Sequence, residues 1–100
     1  MTLLFLLLSL GCNKKTPSGA EDTFTLYVSN LTSESYAIYV SYNGYSEFAG
    51  IAIADSLVKL ADFIENENTC FEAKQGDMVL YSRCENTIHL EAFTWYLHPQ

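Results

Sequence analysis

An all-β fold is the class that this sequence predicts, because apolar and polar residues alternate in short runs that tight turns separate. The stretches Thr23–Asn30 and Tyr36–Tyr42 both alternate with the period of two that half-buried strands show. Asn43-Gly44 is the strongest short hairpin signal in the chain. Residues 74–77 form a second turn signature between two further strand-like runs. These features predict antiparallel strands joined by tight turns.

The first two predicted strands each present one apolar face for burial. The inward positions are Phe24, Leu26, Val28, Ile38 and Val40. If the two strands pair as a hairpin, Tyr27 and Tyr39 lie side by side on the outer face. A third strand over residues 45–53 is expected to fold back on the second.

The second half of the chain supplies another hairpin and a last strand. Residues 69–73 and 78–82 flank the second turn, and residues 88–97 predict a strand that ends in aromatic side chains. A two-residue turn at Gln75-Gly76 would place Cys70 opposite Tyr81. A bridge from Cys70 to Cys84 therefore requires a wider turn or a chain that curls back, since disulfides need close Cα atoms.

Residues 54–68 fit two different structures. The i, i+3, i+4, i+7 spacing of a helix is satisfied by Leu57, Leu60, Ala61 and Ile64. As a strand, the segment has no clean face, because Lys59 interrupts one face and Asp62 the other. The local pattern favours a helix near residues 55–66 and an α+β protein, whereas the strands on both sides favour one more strand.

Composition restricts the classes of partner. The 100 residues carry five basic and twelve acidic side chains, for a net charge of −7, and this length allows one domain. An acidic chain is poorly suited to nucleic acid, whose phosphates require a surface of lysine and arginine. The only histidines, His89 and His98, have no second ligand at metal spacing, so neither a metal nor a cofactor is predicted.

No arrangement of residues predicts catalysis. The chain shows no Ser-His-Asp spacing and no glycine-rich phosphate loop. His89 is expected to point outward from the last strand. We therefore expect no enzyme activity, and a small enzyme stays an alternative that would need a deep pocket with converging polar groups.

The leader carries the sharpest motif in the chain. Residues 3–10 form an apolar run that is too short to span a membrane, which takes about 20 residues, but fits the core of a secretory signal. The run closes on Gly11-Cys12, and with this box the chain resembles a bacterial lipoprotein. The resemblance implies a signal peptide over residues 1–11, lipid on the Cys12 thiol, a tether over residues 12–22 and a domain over residues 23–98.

A lipid on Cys12 implies a location in the bacterial cell envelope. Several acyl chains make anchoring stable, because each buried methylene contributes about 0.8 kcal/mol. Asn13 follows the cysteine in place of aspartate, which by resemblance favours the outer membrane. The alternatives are an ordinary secretory signal and an N-terminal helix with a buried cysteine.

With Cys12 in the anchor, Cys70 and Cys84 remain as an even pair in an exported domain. One disulfide is the usual outcome of that count. Two buried reduced thiols are the alternative.

The order of elements over residues 23–97 is similar to that of small β-sandwich lipoproteins of the Bacteroidetes type. The shared features are an asparagine-rich turn, a tyrosine-rich strand, Asn43-Gly44 and a cysteine-containing hairpin with Gln75-Gly76. The resemblance implies a small antiparallel β-sandwich, Ig-like or similar, in which residues 54–67 are a strand and a turn.

Aromatic side chains predict a contact surface on this domain. The candidates are Tyr27, Tyr39, Tyr42, Tyr45 and Trp95, and tyrosine and tryptophan are enriched at interfaces. We expect a non-enzymatic binding or structural module with an envelope protein or glycan as its partner. The main alternative is a periplasmic inhibitor of a host hydrolase such as lysozyme, whose basic surface an acidic protein would complement.

Overall fold

A computed structural model describes residues 22–100, and these residues form seven β-strands. The strands are β1 (Thr23–Asn30), β2 (Tyr36–Tyr42), β3 (Tyr45–Ala52), β4 (Ser56–Ile64), β5 (Thr69–Gln75), β6 (Met78–Glu85) and β7 (Ala92–Leu97). Residues 22–100 contain no helix. In this part of the chain there is therefore no helix that is long and apolar enough to cross a membrane. The predicted signal peptide, Cys12 and nearly all of the tether lie outside the described residues.

The strands form two sheets, and the predicted all-β sandwich is confirmed. One sheet has the order β4-β1-β7 and the other the order β3-β2-β5-β6. Strands pair antiparallel except β1 and β7, which run parallel. The chain changes sheet after β1, β3, β4 and β6, and such crossings are typical of Greek-key sandwiches.

The first two strands do not pair as a hairpin, because β1 and β2 lie in different sheets. Both strands do bury the faces that their alternation predicts, with Leu26 and Ile38 fully buried. Alternation with a period of two identifies the buried face of a strand but does not identify the strand that pairs with it. The two faces meet across the core of the sandwich, so Tyr27 and Tyr39 point away from each other.

The core lies between the two sheets and is centred on aromatic rings. Phe71 of β5 is fully buried, and its ring centroid lies 5.4 Å from that of Phe93, 5.9 Å from that of Trp95 and 6.3 Å from that of Phe24. The other buried apolar residues are Leu26, Val28, Tyr36, Ile38, Val40, Ala52, Phe63, Ala73 and Leu97.

Within residues 54–68, Ser56–Ile64 form strand β4, preceded by a turn at residues 54–55, which excludes the alternative helix. β4 pairs with β1, and the register shifts between Leu26, which faces Ala61, and Tyr27, which faces Lys59. Leu60 is therefore an extra residue in a β-bulge. The bulge makes Leu60 and Ala61 both half-buried, and this interruption of the alternation produces the helix-like spacing in the sequence.

A second bulge lies opposite the first, across the side of the sandwich where β3 and β4 meet. In β3, Gly50 faces Ile38 and Phe48 faces Tyr39, so one residue between them is extra. Gly50 has φ +142, and a Cβ built there would lie 2.9 Å from Leu60 Cδ2. Only glycine adopts this backbone readily, and its missing side chain makes room for Leu60 to close this edge.

The β5–β6 hairpin explains how the two cysteines meet. Gln75 pairs with Met78, so the turn residues are Gly76 and Asp77, one position later than predicted. A bulge between Ala73 and Lys74 shifts the register once more. Together these changes set Cys70 directly opposite Cys84, where the structure has the predicted disulfide.

The last strand is shorter than predicted. β7 covers Ala92–Leu97, while residues 88–91 form a turn. His89 has φ +70 in that turn, and its backbone N–H donates to Glu65 Oε1 at 3.0 Å. His89 is exposed, as expected, but the expected strand position is wrong, because the residue lies in a turn with a left-handed backbone.

Candidate functional site

The five aromatic residues of the predicted contact surface lie in different parts of the sandwich. Tyr27 is on the outer face of the three-stranded sheet and Tyr39 on that of the four-stranded sheet. Trp95 is 5% exposed and belongs to the core. Tyr42 and Tyr45 flank the β2–β3 turn, with ring centroids 6.0 Å apart. Of the five, only Tyr39, Tyr42 and Tyr45 share a hairpin.

The outer face of the four-stranded sheet carries a small aromatic cluster. Tyr39 packs edge-to-face on Phe48 with centroids 5.5 Å apart. The Lys74 ammonium lies 4.6 Å from the Tyr39 ring centroid and 3.9 Å from a Glu72 carboxylate oxygen. Phe48 remains 54% exposed, so this cluster is open to solvent.

The larger of two described cavities lies at one end of the sandwich. We call this end the Asn30 end, since it holds Asn30, the β1–β2 connection and residues 98–100. The cavity has a volume of about 400 Å³, and we call it the tyrosine cavity. Its lining residues are Leu31, Thr32, Ser33, Glu34, Tyr36, Asp55, Tyr81, Pro99 and Gln100.

Two tyrosines of the four-stranded sheet line this cavity, Tyr36 on β2 and Tyr81 on β6. The rings of Tyr36 and Tyr81 meet edge-to-face with centroids 5.4 Å apart. The Tyr81 hydroxyl donates to the His98 carbonyl at 2.6 Å. Desolvation, then the hydrogen bond and charge of Tyr36, raise the pKa of Tyr81. Each of these contributions to the pKa favours the protonated Tyr81 hydroxyl.

The loop beside the cavity is held by one buried side chain. Asn30 is fully buried, and its Nδ2 donates to the carbonyls of Glu34 at 2.7 Å and Ala52 at 2.9 Å. Its Oδ1 accepts from the Thr32 backbone N–H at 2.9 Å and from the Thr32 hydroxyl at 2.8 Å. Asn30 thus fixes the β1–β2 connection and ties it to the end of β3.

Two carboxylates stand among the residues that line the tyrosine cavity. Glu34 Oε1 accepts from Gln75 Nε2 at 2.6 Å. Asp55 is placed by its backbone N–H, which donates to the Thr32 carbonyl at 3.0 Å. Among residues 22–100, no lysine or arginine lines this cavity. The described lining of the cavity therefore combines two phenol rings with two carboxylates.

The opposite end is organised differently. We call it the Thr87 end, because Thr87 is fully buried there between the β4–β5 and β6–β7 connections. Its hydroxyl accepts from the Asn66 N–H at 2.9 Å and lies 3.1 Å from the Thr69 hydroxyl. A cavity of about 290 Å³ at this end is lined by Asp22, Ile64, Glu65, Ile88 and His89. Over residues 22–100, no group of three or more histidine, cysteine or acidic residues is placed to hold a metal ion.

Sequence reasoning missed the tyrosine cavity and the role of Asn30. A local signal existed, because an asparagine followed two positions later by threonine favours a turn closed by the asparagine side chain. No local sequence signal predicts the contact between Tyr36 and Tyr81, which lie 45 positions apart in the chain. This contact depends on β5 lying between β2 and β6.

Comparison with known proteins gave no match to a family model, to a curated protein or to a solved structure.

Proposed function

We propose that this protein is a lipoprotein of the bacterial cell envelope, anchored through Cys12, whose β-sandwich is a non-enzymatic binding or structural module. The observation that carries the proposal is the assignment of the three cysteines. The chain has three, and two of them form the disulfide Cys70–Cys84. Cys12, behind the apolar leader and Gly11, is left for lipid.

The position of the disulfide supports an exported domain. Cys84 is exposed, and exposed disulfides persist in oxidising compartments such as the bacterial periplasm. A domain of this size also gains from such a bridge, because a single small core is only marginally sufficient for stability.

A fractionation experiment in the native host tests the anchor. We expect the protein to sediment with membranes and the Cys12→Ser variant to appear in the soluble fraction, because the variant lacks the thiol that accepts lipid. The matched control is a Cys70→Ser/Cys84→Ser variant, which changes two cysteines and should stay with the membranes. Membrane association of Cys12→Ser at the wild-type level would contradict lipid anchoring.

An inhibitor of a host hydrolase such as lysozyme is the second candidate. The acidic lining of the tyrosine cavity favours it, because lysozyme-like enzymes that are basic would be attracted to this end. An assay of lysozyme activity with increasing amounts of the purified protein separates this role from the first.

A further inference from the structure

We propose that the tyrosine cavity binds one basic side chain, an arginine or a lysine, presented by a partner protein. The inference rests on the proposed function in that the domain is a binding module, and it adds the chemistry that the partner must offer. It is independent of how the domain is anchored.

The size and lining of the cavity fit a single side chain. Its volume of about 400 Å³ is near the lower limit of the range for ligand pockets. Half-buried Tyr81 supplies aromatic surface, together with the 7% of Tyr36 that is exposed, and cations are attracted to the faces of such rings. The same protein shows this contact twice elsewhere, with Lys74 on Tyr39 and with Arg83 on Phe93.

Charge selects a cation over an anion or a neutral ligand. Glu34 and Asp55 line the cavity, and no basic side chain of residues 22–100 accompanies them. Two basic residues of the domain have acidic partners elsewhere, since Lys74 pairs with Glu72 and Arg83 with Glu85. A carboxylate binds a guanidinium through paired hydrogen bonds or an ammonium as a point charge.

The site is held in place before a ligand arrives. Asn30 fixes the loop that carries Glu34 through four hydrogen bonds, and Gln75 holds the Glu34 carboxylate. Binding a ligand to groups that are already ordered costs less conformational entropy. The net charge of −7 adds long-range attraction for a basic partner at low salt.

A titration with a charged ligand and its uncharged isostere tests the proposal. The probes are acetylated arginine amide and acetylated citrulline amide, which share a shape and differ in charge. They are added at low salt to isotope-labelled protein, and the backbone amides of Ser33, Glu34 and Asp55 are followed by NMR. We expect saturable shifts with arginine, and an affinity for citrulline at least tenfold weaker.

Two charge-matched variants assign the binding to the cavity. Glu34→Gln/Asp55→Asn should weaken arginine binding at least tenfold. Glu67→Gln/Glu91→Gln removes the same charge near the Thr87 end and should change binding less than twofold. The citrulline comparison uses the unmodified protein, so it holds even where a variant folds poorly.

Three results would overturn the proposal: equal affinity for arginine and citrulline, equal losses in the two variants, or no saturable shift at the cavity residues. Saturable shifts at these residues with N-acetylglucosamine but none with arginine would also overturn it, in favour of a glycan ligand. Failure of the Cys12→Ser experiment would refute the anchor and leave this titration unaffected.

Discussion

The two ends of the sandwich are tied by different chemistry. At the Asn30 end, one amide side chain makes four hydrogen bonds to backbone and side chain. At the Thr87 end, a hydroxyl network runs through Thr87, Thr69 and Asn66. Cys70 directly follows Thr69 in the chain, so the Cys70–Cys84 disulfide also ties this end. The Asn30 end is held by hydrogen bonds, whereas the Thr87 end also has a disulfide cross-link.

The comparison shows two ways to stabilise the end of a sandwich: hydrogen bonds from a buried side chain and a covalent cross-link. A buried amide that satisfies two carbonyls and two donors holds a loop because each partner would otherwise lose a hydrogen bond in a place that water does not reach. A disulfide acts mainly on the unfolded chain, whose loop entropy it lowers. The end that carries the tyrosine cavity therefore relies on hydrogen bonds, with four of them on Asn30, whereas the Thr87 end has a disulfide in addition to its hydrogen bonds.

The largest expected effect is at Asn30. Asn30→Ala leaves the Ala52 carbonyl and the Thr32 backbone N–H without their buried partner, and we expect a loss of about 3–4 kcal/mol in the free energy of unfolding. Urea denaturation measures it. This loss is a large share of the total stability of a small domain.

Thr87→Val is the matched control at the other end. It keeps the shape of the side chain and removes the hydroxyl, and the disulfide remains, so we expect a loss of about 1–2 kcal/mol. A loss at Thr87 equal to or larger than the loss at Asn30 would contradict the greater dependence of the cavity end on its one buried amide.

The next effect concerns the disulfide. Cys70 and Cys84 are separated by 14 positions, and a loop of about 15 residues corresponds to about 3 kcal/mol in the chain-entropy description. We expect Cys70→Ser/Cys84→Ser to lower the free energy of unfolding by at most this amount, since the β5–β6 pairing persists. Urea denaturation gives the magnitude.

The disulfide variant also tests whether the two ends are independent. In NMR spectra, the amides of Asn66 and Thr87 should shift, because they lie beside the removed bridge. The amides of Ser33 and Glu34 at the Asn30 end should keep their positions. Shifts of similar size at both ends would show that the bridge organises the whole sandwich and would remove the distinction.

The sequence predicted the buried faces and the turns better than the neighbours of each strand. Alternation identified Leu26 and Ile38 as inward residues because burial is a local property of a pleated strand. It did not reveal that β1 and β2 lie in opposite sheets, which depends on the path of the chain across the core. The disulfide partners followed from counting cysteines, although the register that joins them depends on the position of the turn and on a bulge at Leu80.

Bulges account for most of the remaining differences. Leu60 is an extra residue in β4, and it gave the segment a helical spacing that no single-strand pattern explains. Gly50, next to the bulge in β3, has a φ of +142 that glycine alone adopts readily, yet a lone glycine in a strand predicts only that some irregularity occurs there. The tyrosine cavity was not predictable for a related reason, since Tyr36 and Tyr81 meet only when three strands are in register.

The smallest expected effect is a pH dependence that belongs to the cavity end. The pKa of Tyr81 is raised in the folded state, first by desolvation and then by Tyr36, so the folded protein holds this proton more tightly than the unfolded chain. As pH rises past the ordinary tyrosine pKa of 10.0, the unfolded chain loses the proton first, and the stability that comes from this group declines. Urea denaturation from pH 9 to 11 should therefore show a steeper loss for the wild type than for Tyr81→Phe. If the free energies of unfolding of the wild type and of Tyr81→Phe fall in parallel with pH, the pKa of Tyr81 is the same in the folded and unfolded states, which contradicts this prediction.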